Sequence, residues 1–88
     1  MLDIETLGRR LERLDAASRS GPWTLAALRL IESSPAVVAR LLAAQAGQDT
    51  QPFKANVRKL KALGLTVSLG TGYELSERGQ EYLDSLSD

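Results

Sequence analysis

The sequence predicts a mainly α-helical fold that carries one small β-hairpin. Leucine occurs 16 times and alanine 11 times, while aromatic residues make up 5% of the chain. This balance favours helices packed through leucine over a β-sandwich. Apolar residues also recur every three or four positions through most of the chain, as they do on one face of a helix. Strand-like alternation is confined to the region around Gly70-Thr71-Gly72, which predicts the hairpin turn.

Length and composition limit the classes of protein to which the chain can belong. A chain of 88 residues is the size of one domain. Its 43% hydrophobic and 25% charged residues exclude the disordered and low-complexity classes. Because the chain contains no Cys and no His, it has no thiolate, no imidazole and no usual zinc ligand set. We therefore expect no enzymatic activity and no cofactor.

Two further observations bear on location. No segment approaches the roughly 18 consecutive apolar residues of a membrane-spanning helix. The N-terminal residues also lack the basic segment that begins a signal peptide. We expect no membrane partner and a cytoplasmic location.

The first two helices are predicted by their leucine spacing. The first runs from Asp3 to about Ser18, and we expect Gly8 beside its apolar stripe to let a neighbouring backbone approach. A second helix runs from Trp23 or Thr24 to Ser33, and Trp23 is interpreted as a core residue. The apolar residues of the first stripe are Ile4, Leu7, Leu11 and Leu14, and those of the second are Leu25, Leu28 and Ile31.

Two more helices are predicted between residues 34 and 64. Ser34 is expected to cap a third helix that begins at Pro35 and stops near Gly47. Asp49-Thr50 is expected to cap a fourth helix that ends at Gly64. The inward residues are predicted to be Val38, Leu41 and Leu42 on the third helix, and Phe53, Val57, Leu60 and Leu63 on the fourth.

The C-terminal part is predicted to form the hairpin and a last helix. Residues 65–69 and 73–75 alternate as two short strands. Ser76 is expected to cap a helix from Glu77 to about Leu86, with Tyr82, Leu83 and Leu86 available for burial. Residues 1–20 are then an N-terminal helix, and residues 21–88 form the main domain.

Three stretches of the chain carry recognisable motifs. Ala43, Gly47 and Phe53 place a small residue, a turn glycine and an apolar residue of the next helix in order, and Val57 is the next apolar position. This pattern resembles the winged helix-turn-helix family, although Val57 follows one residue later than in the minimal bacterial pattern. Residues 59–65 look like the exit of the family's recognition helix, and residues 72–79 resemble its second wing strand running into a capped helix. The resemblance covers roughly residues 22–83. It implies a three-helix core with a wing, flanked here by extra N-terminal and C-terminal helices, and a recognition helix at about 50–63 that binds double-stranded DNA.

Charge is polarised along the second half of the chain, although the net charge is zero. Residues 40–61 hold five cations and one acid, whereas residues 62–88 hold one cation and five acids. A polyanion responds to this local distribution rather than to the sum. The basic segment coincides with the fourth helix, which supports a nucleic-acid partner.

The outward face of the fourth helix is the predicted DNA contact surface. The helical period places Gln51, Ala55, Arg58 and Ala62 opposite the core stripe, and Lys54 and Lys59 beside them. Small residues allow close approach, Arg can bind guanine, Gln can bind adenine, and Lys can neutralise phosphates. Further candidate contacts are Thr50, Lys61, Thr71 in the hairpin turn, and Ser34 at the expected start of the third helix. The alternative is that this face is simply solvated.

Few contacts imply weak binding by one protomer, so a homodimer is predicted. Ile4, Leu7, Leu11 and Leu14 are the candidate dimerisation residues, although the same stripe could cover its own domain. No small-molecule effector is expected in so short a chain. The predicted function is that of a small transcriptional regulator. The rival is a winged-helix adaptor that binds another protein through its acidic C-terminal face or its N-terminal leucines, without touching DNA.

Overall fold

The computed structural model describes residues 2–86, and these form five helices and one antiparallel hairpin in the predicted order. The mainly α fold class with a small hairpin is confirmed. No helix in the described part of the chain is long and apolar enough to cross a membrane. The helices are α1 (Ile4–Ala17), α2 (Thr24–Ser33), α3 (Ala39–Gln45), α4 (Thr50–Ala62) and α5 (Glu77–Leu86), and the strands are β1 (Thr66–Ser68) and β2 (Tyr73–Leu75).

Asp15 on α1 caps the start of α2. Its Oδ1 accepts hydrogen bonds from the backbone N–H groups of Trp23 at 2.8 Å and Thr24 at 2.9 Å, and its Oδ2 accepts from the Thr24 hydroxyl at 2.8 Å. The N-cap residue of α2, Trp23, makes no capping bond with its own side chain. The first helix therefore satisfies backbone donors that the start of the second would otherwise leave free.

Asp15→Ala is expected to lower the free energy of unfolding by about 2 kcal/mol, because three part-buried donors lose their acceptor. The matched control is Glu12→Ala, which removes an exposed carboxylate from the same helix. Urea unfolding of both variants measures the difference. Equal stability of the two variants would contradict the capping role.

Asp3 caps α1 and gives this helix a dependence on pH. Its Oδ1 accepts from the Thr6 backbone N–H at 2.7 Å, and this hydrogen bond holds the pKa of Asp3 below its ordinary value. A carboxyl with a lowered pKa stabilises the fold above its ordinary pKa, and the contribution is lost as the pH falls through the folded value.

Asp3→Asn keeps an oxygen that can accept the bond from Thr6 but does not titrate. We expect the wild-type chain to be the more stable of the two at neutral pH, because its carboxylate interacts with the helix dipole. The difference in the free energy of unfolding between the two proteins should shrink as the pH falls below about 4. Urea unfolding at a series of pH values measures it. A gap that widens on acidification would show that the Asp3 carboxylate does not stabilise α1.

The third helix begins at Ala39, so the predicted start at Pro35 is wrong. Ala36 has φ +62°, and its N–H donates to the Tyr73 carbonyl at 2.9 Å, which holds the segment 35–38 beside β2. Ser34 ends α2 instead of capping α3. The Val38 carbonyl accepts the first bonds of the shorter helix.

Four residues that were predicted to face the core are exposed instead. Val38 and Leu41 are 36% and 47% exposed, because α3 starts later and presents Leu42 and Ala43 to the core instead. Leu25 and Leu86 are also exposed, at the margins of their helices. Leu63 is half-buried, as is Tyr82.

The turn between α3 and α4 follows the sequence prediction. Gly47 has φ +69°, and the Gln48 N–H reaches back to the Ala43 carbonyl at 2.9 Å. This is the left-handed helix end that glycine permits. The predicted stop near Gly47 is confirmed, and α4 begins three residues later.

The core consists of two adjoining clusters. Leucines from α1, α2, α4 and α5 dominate the first, and Phe53 is the largest residue of the second. Trp23 is 9% exposed and belongs to the first cluster, which confirms its assignment to the core. The first cluster contains Leu7, Leu11, Trp23, Ala27, Leu28, Leu60, Leu65 and Leu83, and the second contains Ile31, Leu42, Ala43, Phe53 and Val57.

The hairpin register decides which of its side chains face the helices. Thr66 pairs with Leu75, Val67 with Glu74, and Ser68 with Tyr73. Val67 is 41% exposed whereas Thr66 is buried, so the apolar alternation in this strand does not mark its inner face. The inner face carries Thr66, Leu75 and Tyr73, and Ser68 lies on the same side at its exposed end.

Two glycines differ in the space that their surroundings leave for a Cβ atom. At Gly72, which has φ +72°, the Cβ would lie 2.1 Å from the Val37 carbonyl oxygen, so glycine lets the hairpin pack against the segment 35–38. At Gly8 the nearest atoms belong to the Tyr82 side chain at 3.9 Å. The expectation that a backbone approaches Gly8 is therefore wrong, because an aromatic ring lies there.

Candidate nucleic-acid interface

Helix α4 has a buried face and a basic face. Phe53, Val57 and Leu60 are buried on one side. The opposite side is open or half-open to solvent, which agrees with the predicted helical period. We call this side the basic face of α4, and it consists of Gln51, Lys54, Ala55, Arg58, Lys59 and Lys61. Of these, Lys54 and Ala55 are half-buried and the other four are exposed.

No acidic side chain neutralises the basic face within residues 2–86. The ion pairs of this part of the chain are Arg9–Glu5 on α1, Arg29–Glu32 on α2 and Arg78–Glu81 on α5. None of them includes a cation of α4. The positive charge of the basic face is therefore directed to solvent and is available to an external anion.

Lys59 marks the edge of the basic face nearest α2. Its Nζ lies 6.0 Å from the centroid of the Trp23 ring, a distance at which a cation–π attraction operates. The Trp23 ring is itself buried. Lys59 is thus drawn towards the start of α2, away from the middle of the face where Arg58 and Ala55 lie.

A cleft of about 240 Å³ marks the opposite edge, where α4 meets the hairpin. The structure brings Ser68 and Tyr73 together here with cations of α4, and the sequence analysis identified neither residue. The pairing of Ser68 with Tyr73 depends on the strand register, for which the sequence carries no clear local signal. The cleft is lined by Lys54, Val57, Arg58, Lys61, Ser68 and Tyr73.

Burial raises the pKa of Tyr73, and the nearby Arg58 guanidinium opposes this effect. The phenol is therefore neutral at physiological pH. A neutral phenol can donate a hydrogen bond to an anion in the cleft.

The remaining predicted contacts are dispersed. Ser34 lies at the C-terminal end of α2, so its expected role at a helix N-terminus is wrong, because α3 starts five residues later. Thr50 is the first residue of α4 and is half-buried. Thr71 is exposed in the hairpin turn and does not line the cleft.

The candidate dimerisation stripe covers its own domain. Leu7 and Leu11 are 0% and 2% exposed, and Ile4 and Leu14 pack against the same cluster. Leu7 and Leu11 are therefore not available to a second copy, because α2 and α5 already cover them. Dimerisation of the chain stays a prediction without an assigned surface.

The polar side chains of the basic face can all donate hydrogen bonds. This face combines three ammonium groups, one guanidinium group and one amide with a small alanine surface. Such groups can pair with phosphate oxygens and with the acceptor edges of bases. Comparisons with models of protein families and with curated proteins found no match, so the interpretation of this surface depends on its geometry and charge.

Proposed function

We propose that this domain is a winged helix-turn-helix protein that binds double-stranded DNA through α4 and acts in transcriptional regulation. The observation that carries the proposal is the basic face of α4, whose cations have no acidic partner in the described part of the chain. The arrangement of α3, the Gly47 turn, α4 and the hairpin is consistent with this family.

The dimensions of α4 suit a major groove. Its 13 residues span about 20 Å, and a helix with its side chains is about as wide as the groove. Ala55 in the middle of the face leaves room for close approach of the helix to the bases. Arg58 is placed to bind a guanine edge through two hydrogen bonds, and Gln51 to read adenine. The lysines at the margins are placed to bind phosphates.

The acidic C-terminal helix packs against elements other than α4. Helix α5 packs against α1 and α2. The Gln80 side chain joins Asp84 of α5 to Glu32 of α2, with hydrogen bonds of 3.0 and 2.8 Å. These hydrogen bonds tie Asp84 of α5 to α2, and Glu81 is paired with Arg78 on α5 itself, so neither carboxylate pairs with a cation of α4.

Binding to a fluorescent duplex of mixed sequence tests the proposal. We expect saturable binding at low salt, and a plot of log affinity against log salt concentration with a slope of about −3 to −4, since each neutralised phosphate contributes roughly −0.9. Arg9→Ala on α1 serves as a control that should leave both affinity and slope unchanged. Absence of saturable binding at the lowest salt concentration would overturn the proposal.

A further inference from the structure

The cleft between α4 and the hairpin concentrates hydrogen-bond donors. Lys54, Arg58 and Lys61 line it from the helix, and Ser68 and Tyr73 line it from the two strands. Val57, which is buried, supplies its apolar part. No carboxylate of residues 2–86 lines this cleft. An arrangement of several positive charges without a counter-ion indicates a site for an anion.

The helical spacing of the three cations is unfavourable unless an anion compensates for it. Lys54 and Arg58 are four residues apart, and Arg58 and Lys61 are three apart, so the three side chains are neighbours on the surface of α4. Like charges at these spacings destabilise a helix. No acidic residue of residues 2–86 pairs with them. A local rule broken in this way is expected at a functional site.

The strand residues are held in place by the fold. Ser68 and Tyr73 are paired across the hairpin, so their side chains lie on the same face. The Tyr73 carbonyl accepts from the Ala36 N–H, and Gly72 packs against the Val37 carbonyl. The hairpin is thus fixed against the segment 35–38, and this brings Ser68 and Tyr73 to the cleft that the cations of α4 also line.

We propose that this cleft binds one phosphate group, with Lys54, Arg58 and Lys61 supplying charge and the hydroxyls of Ser68 and Tyr73 donating hydrogen bonds. A tetrahedral phosphate presents acceptor oxygens to the helix and to the hairpin at once, which a planar carboxylate does less completely. The group is either a phosphodiester of a nucleic acid or a free phosphate. The first of these sources rests on the proposed function, and the second does not.

The first arm of the test uses inorganic phosphate as the probe and the full chain. Amide chemical shifts are followed during titration with sodium phosphate, against sodium chloride at matched ionic strength. We expect saturable shifts at Ser68 and Tyr73 with phosphate alone. Tyr73→Phe keeps the ring and removes the hydroxyl, and it should weaken phosphate binding about tenfold. Ser68→Ala should also weaken it.

Tyr82→Phe is the matched control, because Tyr82 is also half-buried but lies on α5 outside the cleft. It should leave phosphate affinity unchanged. Two results would overturn the inference. One is identical shifts in phosphate and in chloride, and the other is equal phosphate affinity of Tyr73→Phe and Tyr82→Phe.

The second arm measures duplex DNA binding by the same variants and separates the two sources. A loss of DNA affinity in Tyr73→Phe, with none in Tyr82→Phe, supports a backbone phosphodiester in the cleft. Phosphate binding with DNA affinity unaffected by Tyr73→Phe supports a site for a free phosphate. Phosphate binding by a chain that binds no DNA supports the cleft and refutes the proposed function.

Discussion

Gly79→Ala is expected to lower the free energy of unfolding by about 3 kcal/mol, because an added methyl group has no room at this position. Gly79 is buried in the first turn of α5. A Cβ there would lie 2.1 Å from the Leu65 carbonyl oxygen. That oxygen cannot move freely, because it accepts a hydrogen bond from the Ser76 N–H at 3.0 Å. The clash is therefore with backbone, and α5 must shift to relieve it.

Gly8→Ala provides a control of the same chemical change in another helix. Its Cβ would lie 3.9 Å from the Tyr82 ring, which is an ordinary contact. We expect it to stabilise the protein by about 0.5–1 kcal/mol, as alanine does in a helix interior. Urea unfolding of the two variants measures both effects. Stabilisation by Gly79→Ala would show that α5 does not pack closely on Leu65.

The double variant Lys54→Glu/Arg58→Glu is expected to lower affinity for duplex DNA at least about a hundredfold at low salt. Two attractive contacts are lost and two repulsive ones replace them, and each contact is worth roughly 1 kcal/mol or more. Both side chains lie on the basic face and neither has an acidic partner in residues 2–86, so the substitutions break no recorded ion pair. Fluorescence anisotropy measures the affinity.

Arg9→Glu/Arg13→Glu is the matched control for this charge reversal. Both arginines are exposed on α1, and they have the same spacing of four residues and the same change in net charge. Arg9→Glu also breaks the Arg9–Glu5 ion pair, but both partners are exposed, so this loss has little effect on stability. A general electrostatic effect would reduce affinity equally in the two double variants. If DNA affinity survives in Lys54→Glu/Arg58→Glu, the basic face is not the interface. Under the rival adaptor hypothesis, this variant would keep full binding to its protein partner.

Local signals predicted most of the helices. The bounds of α1 and α2 follow from apolar spacing, and the start of α5 follows from Ser76, whose hydroxyl caps the neighbouring turn. Gly47 and Gly64 end α3 and α4 through positive φ angles, as glycine near a helix end indicates. These features depend on residues close together in the chain, so the sequence reveals them.

The segment 35–38 was mispredicted because its conformation depends on a distant residue. Ser34-Pro35 is a common start of a helix. The bond from the Ala36 N–H to the Tyr73 carbonyl holds the segment against β2 instead. Asp15 illustrates the same limit, since the helix that it caps begins nine residues later.

The candidate site also contains residues that local signals predict and residues that depend on long-range contacts. The helical period alone predicts the outward position of Gln51, Arg58 and Ala62 on α4, and all three are exposed. The contribution of Ser68 and Tyr73 requires the strand register and the packing of the hairpin against α4. In β1 the inner side carries Thr66 and not the apolar Val67, so hydrophobic alternation in that strand could not identify it.

Mapping of amide chemical shifts during titration with a mixed-sequence duplex at low salt tests the central claim most directly. We expect the largest changes at residues 50–61, accompanied by Ser68 and Tyr73, and these should fade as salt is added. Changes confined to α1 or α5, or no changes at DNA concentrations that saturate a basic control protein, would contradict the claim that α4 binds DNA.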